Sequence, residues 1–134
     1  MRNNFAHVIG TPFKNRGRNI ATGLDCWGLV MYVFGLCRVS LPDFNADAFQ
    51  YAVNDRKVTD SLKDGKWEAV QYDPESNEPL VVVMKMHPKY IAHVGVYVGD
   101  GRILHTTEGT GAILSKITTL QRRIVGFYRY VDSN

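Results

Sequence analysis

One stretch decides the fold: GLDCWGLVMYVFGLC, residues 23–37 of a 134-residue chain. Its run from Leu29 to Leu36 is uncharged and apolar, and the length of the whole stretch favours a buried helix over a strand. Asp25 belongs to the residue types that cap helix N-termini, and Pro42 indicates that the helix has ended by then. The sequence therefore predicts a helix that is buried on every side and has Cys26 in its first turn.

Beyond residue 79 the apolar residues recur with a period of two, which is typical of half-buried β-strands. Short turns containing glycine or proline separate most of these segments, which indicates an antiparallel meander. A buried helix followed by a meander predicts a single α+β domain over residues 1–134. The predicted strands are Leu80–Met86, His93–Val98, Arg102–Thr107, Ala112–Ile117 and Arg123–Val131, with a further short strand at Trp67–Val70.

The remaining segments predict only short elements. Residues 1–22 have the pattern of a short helix, a turn at Gly10–Pro12 and a polar loop. Residues 43–79 carry predicted helices at Ala46–Val53 and Asp60–Lys63, and they contain no internal repeat.

Composition excludes several classes of protein. Hydrophobic residues make up 45% of the chain and charged residues 22%, as in globular proteins. The formal charge is +3, and basic pairs such as Arg16 with Arg18 are scattered, so we expect solvated surface charges and no nucleic-acid partner. The first ten residues lack the blocks of a secretory signal, and no apolar stretch approaches the roughly 20 residues of a membrane helix. We therefore expect a protein made in the cytoplasm that does not enter a membrane.

The two cysteines differ in their predicted chemistry. If Cys26 and Cys37 lie on one helix they are about 16 Å apart, too far for a disulfide, so both are predicted to be free thiols. Cys26 falls in the first turn, where unpaired N–H groups and the positive dipole end favour a thiolate. Cys37 falls at the opposite end and has the pattern of a small buried hydrophobe.

Two histidines are predicted to meet on one hairpin. Gly99–Gly101 forms a three-residue loop, and counting back from it places Gly95 opposite His105. His93 and His105 then project from the same face as diagonal neighbours about 7–8 Å apart or less. Gly95 is expected to leave an opening beside His93.

A thiol with two imidazoles has the logic of a cysteine triad, in which one ring takes the thiol proton and the other fixes its tautomer. Two alternatives stay open on the residues alone. The histidines can be ordinary surface or core residues, or Cys26, His93 and His105 can ligate zinc. Their spacing matches no closed zinc pattern.

Three motifs resemble those of the NlpC/P60 family of cysteine peptidases. GLDCWGLV at residues 23–30 resembles the nucleophile motif, HVGVYVG at 93–99 the base motif, and ILH at 103–105 the strand that carries the third polar residue. GTPF at residues 10–13 resembles the family's opening segment. The resemblance covers roughly residues 8–130.

This resemblance implies a papain-like fold with Cys26 as nucleophile, His93 as base and His105 orienting that base. It implies cleavage of peptidoglycan stem peptides, typically at the γ-D-glutamyl to diaminopimelate bond, with no metal or organic cofactor. Trp27 in place of serine, and RIVGFYR at residues 123–129, are similar to the bacteriophage tail-associated branch. That branch implies a virion or tail location, action at the bacterial cell wall, and other tail proteins as partners.

Two departures from the family pattern bear on substrate and rate. Phe13 occupies the place of a tyrosine whose hydroxyl helps at the active site, and the Pro-Gly-Asp before the first strand is represented only by Pro79–Val81. Two other functions fit the same fold. One is a non-catalytic tail or wall-binding module, and the other is a lipid acyltransferase or thioesterase.

Overall fold

Helix α1 covers Cys26–Leu36 and begins at the predicted cap. The Oδ1 atom of Asp25 accepts the backbone N–H of Gly28 at 2.8 Å. The first turn is buried, but Met31 is half-buried and Gly35 is exposed. The prediction of a helix buried on every side is therefore wrong for its second half, where one flank faces a surface cavity.

The structure is a computed structural model that describes residues 5–43, 60, 63, 65–76, 78–87 and 90–131. The predicted helix at Ala46–Val53 lies outside these residues, and only the two end residues of Asp60–Lys63 lie inside them. The predicted N-terminal helix is a single 3₁₀ turn at Ala6–Val8. Among the described residues, no helix combines the length and apolar character needed to cross a membrane.

A six-stranded antiparallel sheet forms the body of the fold, with strand order β3-β8-β4-β5-β6-β7. A two-stranded hairpin, β1 with β2, precedes α1 in a segment predicted to be a loop. The strands are β1 Arg18–Asn19, β2 Gly23–Leu24, β3 Trp67–Val70, β4 Leu80–His87, β5 Tyr90–Tyr97, β6 Arg102–Thr107, β7 Gly111–Lys116 and β8 Ile124–Tyr130.

The predicted meander is right for four strands and wrong for the last one. Strands β4 to β7 follow one another, but β8 pairs with β4 instead of β7. The N–H of Ile117 still donates to the carbonyl of Gly101 as an extension of the β6–β7 pair, and the short helix Ile117–Leu120 then takes the chain off the sheet edge. Leu120 then packs on one face of the sheet as the chain returns to β4.

The sheet is buried on both faces, so the period of two predicted for half-buried strands is wrong for β4, where residues 80–84 are apolar at successive positions. One face packs against α1 and receives a set of mostly β-branched side chains: Val81, Val83, Val94, Val96, Val98 and Leu104. The other face holds a smaller cluster: Leu80, Val82, Met84, Tyr97, Ile103 and Leu120. Side chains alternate between the two faces along a strand, so His93 belongs to the face opposite α1, whereas Val94 faces the helix.

Candidate active site

The β5–β6 hairpin has the predicted register. Val96 lies opposite Leu104, and the N–H of Val98 donates to the carbonyl of Arg102 at 3.1 Å, which closes a three-residue loop. In this register His93 and His105 share one face. A loop of two residues would have placed them on opposite faces.

The two histidines contact each other directly. The Nε2 atom of His93 lies 3.3 Å from Nδ1 of His105, and the ring centroids are 5.5 Å apart in an edge-on arrangement. The second nitrogen of His105, Nε2, lies 2.9 Å from Oγ of Ser115 on β7. Both histidines are buried, with 5% and 6% of their surface exposed. We call this connected set of His93, His105 and Ser115 the histidine relay.

Ser115 was not among the residues predicted for the site. The same counting argument applies to it, because His105 lies opposite Ile113 in the β6–β7 pair and Ser115 is therefore its diagonal neighbour on the same face. The strand register therefore could have identified Ser115, although β7 carries no recognisable motif.

Gly95 does not leave the opening that the sequence predicted. A Cβ atom built on Gly95 would lie 3.0 Å from Cβ of His105 and 3.0 Å from Cγ2 of Ile103. The space is already occupied by the neighbouring strand. Glycine is required here because β5 and β6 approach closely, and this approach brings the two imidazoles within hydrogen-bond distance.

Cys26 reaches the same part of the sheet from the end of α1. Its side chain is buried, and its sulfur accepts backbone N–H groups from Val94 and Trp27. Val94 directly follows His93 in β5, so the thiol is connected to this strand through its backbone. The predicted approach of the sulfur to the His93 ring, to within about 4 Å as expected for a nucleophile and its base, stays a prediction.

Burial favours the neutral forms of the Cys26 thiol and the His93 imidazole. Burial, followed by the nearby charge of Asp25, raises the pKa of the Cys26 thiol from 9.0 to about 12. Burial, the neighbouring His105 and the cation of Arg123 lower the pKa of His93 from 6.5 to about 3. The pKa of His105 is also lowered, by burial and by Arg123. The expectation that the helix start favours a thiolate is therefore wrong for the resting state, because desolvation outweighs the dipole.

The second cysteine and a further histidine have simpler surroundings. Cys26 and Cys37 are both free thiols, and Cys37 is half-buried rather than fully buried. His7 lies at the surface, where its Nε2 is 2.7 Å from the hydroxyl of Tyr32. Within the ranges that the structure describes, no group of three or more His, Cys, Asp or Glu side chains is placed to hold a metal ion.

Arg18 is not the solvated charge that the sequence predicted. Its Nη1 donates to Oδ1 of Asp25 at 2.6 Å, and its Nε and Nη2 donate to the two carboxylate oxygens of Asp43 at 2.8 and 3.0 Å. Asp25 is almost fully buried, with 1% of its side chain exposed. The cap of α1 is therefore part of an ion-pair network that begins one residue before Cys26.

Comparison with known proteins places these features in one family. The NlpC/P60 family model matches residues 10–129. Gamma-DL-glutamyl hydrolase of Bacillus subtilis (strain 168) is 27% identical over 109 residues, which are 81% of this chain and 23% of that protein. Murein DD-endopeptidase MepH of Escherichia coli (strain K12) is 29% identical over 133 residues, which are 95% of this chain and 44% of that protein. The chain thus spans less than half the length of these curated relatives.

Solved structures show the same fold. An NLP/P60 family protein of Staphylococcus aureus, described as similar to a lipoprotein, superposes with a TM-score of 0.64 at 18% identity over 94% of this chain and 38% of its own. The NlpC/P60 domain of the peptidoglycan hydrolase SagA gives a TM-score of 0.55 at 19% identity over 91% of this chain and 89% of its own. The α+β arrangement of a capped helix against an antiparallel sheet is that of these structures.

Proposed function

The chain belongs to the NlpC/P60 family, and on that premise we propose that it is a cysteine peptidase acting on peptidoglycan stem peptides. Cys26 is the proposed nucleophile, His93 its base and His105 the residue that orients the base. The single observation that carries the proposal is the hydrogen bond between Nε2 of His93 and Nδ1 of His105. His93 lies on β5, the strand whose Val94 N–H donates to the Cys26 sulfur.

The histidine relay is compatible with this assignment in one of its two possible hydrogen-bond directions. If Nε2–H of His93 donates to Nδ1 of His105, then the proton of His105 lies on Nε2 and donates to Oγ of Ser115. This direction leaves Nδ1 of His93 with a free lone pair. The opposite direction places the His93 proton on Nδ1 and removes its capacity to act as a base through that atom.

Because Cys26 and His93 are both neutral before reaction, the proton is transferred during nucleophilic attack, and no thiolate–imidazolium pair is present beforehand. As the sulfur of Cys26 bonds to the scissile carbonyl carbon, its proton passes to Nδ1 of His93, and His105 accepts the hydrogen bond of the resulting imidazolium. That proton then passes to the leaving amine as the C–N bond breaks. Water attacks the thioester, His93 takes the water proton, and release of the acid restores the thiol.

The first turn of α1 supplies the proposed oxyanion contact. The N–H groups of Gly28 and Leu29 are already bonded to Asp25, one to the side chain at 2.8 Å and one to the carbonyl at 2.9 Å. The N–H of Trp27 donates to the Cys26 sulfur, so the oxyanion contact falls to the backbone N–H of Cys26 itself, at the positive end of the helix.

The substrate class is proposed from the relatives. The B. subtilis relative is a gamma-DL-glutamyl hydrolase, and the E. coli relative is a murein DD-endopeptidase. Neither name specifies the γ-D-glutamyl to diaminopimelate bond, and we propose that bond on the family resemblance of residues 23–30, 93–99 and 103–105. A role in a bacteriophage tail, with tail proteins as partners and action at the host wall, is supported only by Trp27 and by residues 123–129.

The test is digestion of purified peptidoglycan, with the released peptides identified by mass spectrometry. We expect products that begin at diaminopimelate from the wild type and from Cys37→Ala, and none from Cys26→Ala. Products cut at another bond would correct the substrate assignment. If the wild type binds peptidoglycan but releases no peptide from it or from a synthetic stem tetrapeptide, the chain is a wall-binding module and the peptidase proposal fails.

A further inference from the structure

Arg18 connects the start of the nucleophile helix to a second carboxylate outside it. Its guanidinium makes four hydrogen bonds, two to the oxygens of Asp43, one to Oδ1 of Asp25 and one to the carbonyl of Gly17. Fork-shaped pairing of this kind fixes the guanidinium in both position and plane. A lysine ammonium has one donor centre and cannot reproduce it.

Asp25 is held from three directions. Its Oδ1 accepts Gly28 N–H and the Arg18 guanidinium, and its Oδ2 accepts the backbone N–H of Arg16 at 3.0 Å. A carboxylate with 1% of its side chain exposed needs these partners, because a buried unpaired charge is strongly unfavourable. The cap geometry of α1 is therefore specified by the hairpin that contains Arg18.

The charges of this network act on the thiol of Cys26, which directly follows Asp25 in the sequence. The negative charge of Asp25 disfavours the Cys26 thiolate, whereas the positive charge of Arg18 favours it. Arg18 also borders a cavity of about 490 Å³ on the outer flank of α1, together with Asp43, Met31 and Tyr32. Arg18 thus reaches Asp25 from the outer flank of the helix.

We infer that Arg18 is a positioning residue for the nucleophile, an inference that rests on the proposed function of Cys26. Its guanidinium fixes Asp25 as the cap of α1 and offsets the carboxylate charge beside the thiol. Arg18 contacts no reacting atom in this assignment. It acts on Cys26 through Asp25.

The test compares rates of Cys26 alkylation by iodoacetamide at a fixed pH, in a Cys37→Ser background. Since only the thiolate reacts, the rate below the thiol pKa falls about tenfold for each unit that the pKa rises. We expect Arg18→Gln to label several-fold more slowly and Asp25→Asn, which keeps a capping side chain, several-fold faster. Arg129→Gln is the matched control, because Arg129 also bridges two carboxylates but does so on the exposed edge formed by Glu68 and Glu78.

The opposite changes in labelling rate expected for Arg18→Gln and Asp25→Asn distinguish this role from a purely structural one. If Arg18 only stabilises the fold, both substitutions loosen the helix start and both expose Cys26, so both label faster. Arg18→Gln labelling at the wild-type rate or faster overturns the inference. Should Arg18→Gln fail to fold, Arg18→Met replaces it, since it also removes the charge, with slower labelling than wild type expected and an unchanged or faster rate overturning the inference.

Turnover of a stem tetrapeptide supplies a second readout. Arg18→Gln is expected to lower kcat with little change in KM, since no substrate contact is removed. An unchanged kcat in a peptidase that cleaves the tetrapeptide also overturns the inference. If the wild type shows no turnover at all, the proposed peptidase function fails, while the labelling series still decides the role of Arg18.

Discussion

Nε2 of His93 lies 3.3 Å from Nδ1 of His105, although the two residues come from different strands and are twelve positions apart. The contact depends on the register that Val96 and Leu104 establish further along the hairpin. It also depends on Gly95, since a side chain there would collide with His105. One hydrogen bond therefore links the candidate base to a second residue whose effect can be measured separately.

His105→Ala is expected to lower turnover while leaving thermal unfolding nearly unchanged, because in the proposed mechanism His105 orients His93 and does not accept the thiol proton. His105→Asn should retain more activity than His105→Ala, since its amide oxygen can accept the hydrogen bond from His93. His93→Ala should be worse than either, as loss of a general base typically costs about 10²–10⁴-fold. The measurement is turnover of a stem tetrapeptide, with thermal unfolding as the control.

Two outcomes would contradict this assignment. Wild-type turnover in His105→Ala would remove the orienting role. Unfolding of the same variant would show that His105 mainly stabilises the core, in keeping with its 6% exposure.

Ser115→Ala should give a milder loss of turnover. In the proposed relay the hydroxyl of Ser115, 2.9 Å from Nε2 of His105, accepts from that atom and so fixes the tautomer of His105, but it does not touch His93. A neutral hydrogen bond contributes about 1 kcal/mol, which corresponds to a fall in kcat of about fivefold. Ser115→Thr keeps the hydroxyl and serves as the control. If Ser115→Ala equals His105→Ala in its effect, Ser115 has a larger part in the site than the relay assigns to it.

The hairpin and its histidines could be predicted because loop length alone fixes which residues share a face. The place of β8 could not, since the alternation of residues 123–131 identifies a strand without identifying its neighbour. The sign of the Cys26 pKa shift was also out of reach. A sequence indicates a helix start, but it does not give the degree of burial that outweighs the dipole there. Arg18 has the sequence pattern of a surface charge, because its two carboxylate partners are brought to it only by the fold.

Stability should fall in mild acid through His93. Its pKa is about 3 in the folded protein against 6.5 for an ordinary histidine, so below pH 6.5 the unfolded chain takes up a proton that the folded protein does not. The stabilisation is present above pH 6.5 and is lost as the pH falls toward 3, at about 1.4 kcal/mol per pH unit. His93→Gln should flatten this dependence in urea unfolding measured from pH 7 to pH 4.

The wild type, unfolded in parallel at each pH, is the reference for that slope. An unaltered slope in His93→Gln would show that His93 is accessible to protons in the folded state.

Two glycines of α1 should respond to alanine in opposite directions. A Cβ on Gly28 would lie 2.1 Å from the carbonyl oxygen of Gly17, so Gly28→Ala must displace backbone and should destabilise by about 1–3 kcal/mol. A Cβ on Gly35 would meet nothing within 4 Å, so Gly35→Ala should gain about 0.5–1 kcal/mol from helix propensity. Chemical denaturation of both variants measures the difference, and equal effects would contradict the close approach at Gly28.

Strand β8 has a consequence for the order in which the chain acquires its structure during synthesis. It pairs with β4 on one side and β3 on the other, so residues 67–70 have no sheet neighbour until residues 124–130 have left the ribosome. Pairing across so many residues loses the conformational entropy of a large loop before stabilising contacts form. This step is therefore expected to be slow. Cys26 is translated early, but a nascent chain lacking β8 has an incomplete sheet beside the base. On the proposed function, the emerging polypeptide is therefore expected to stay inactive until β8 is in place.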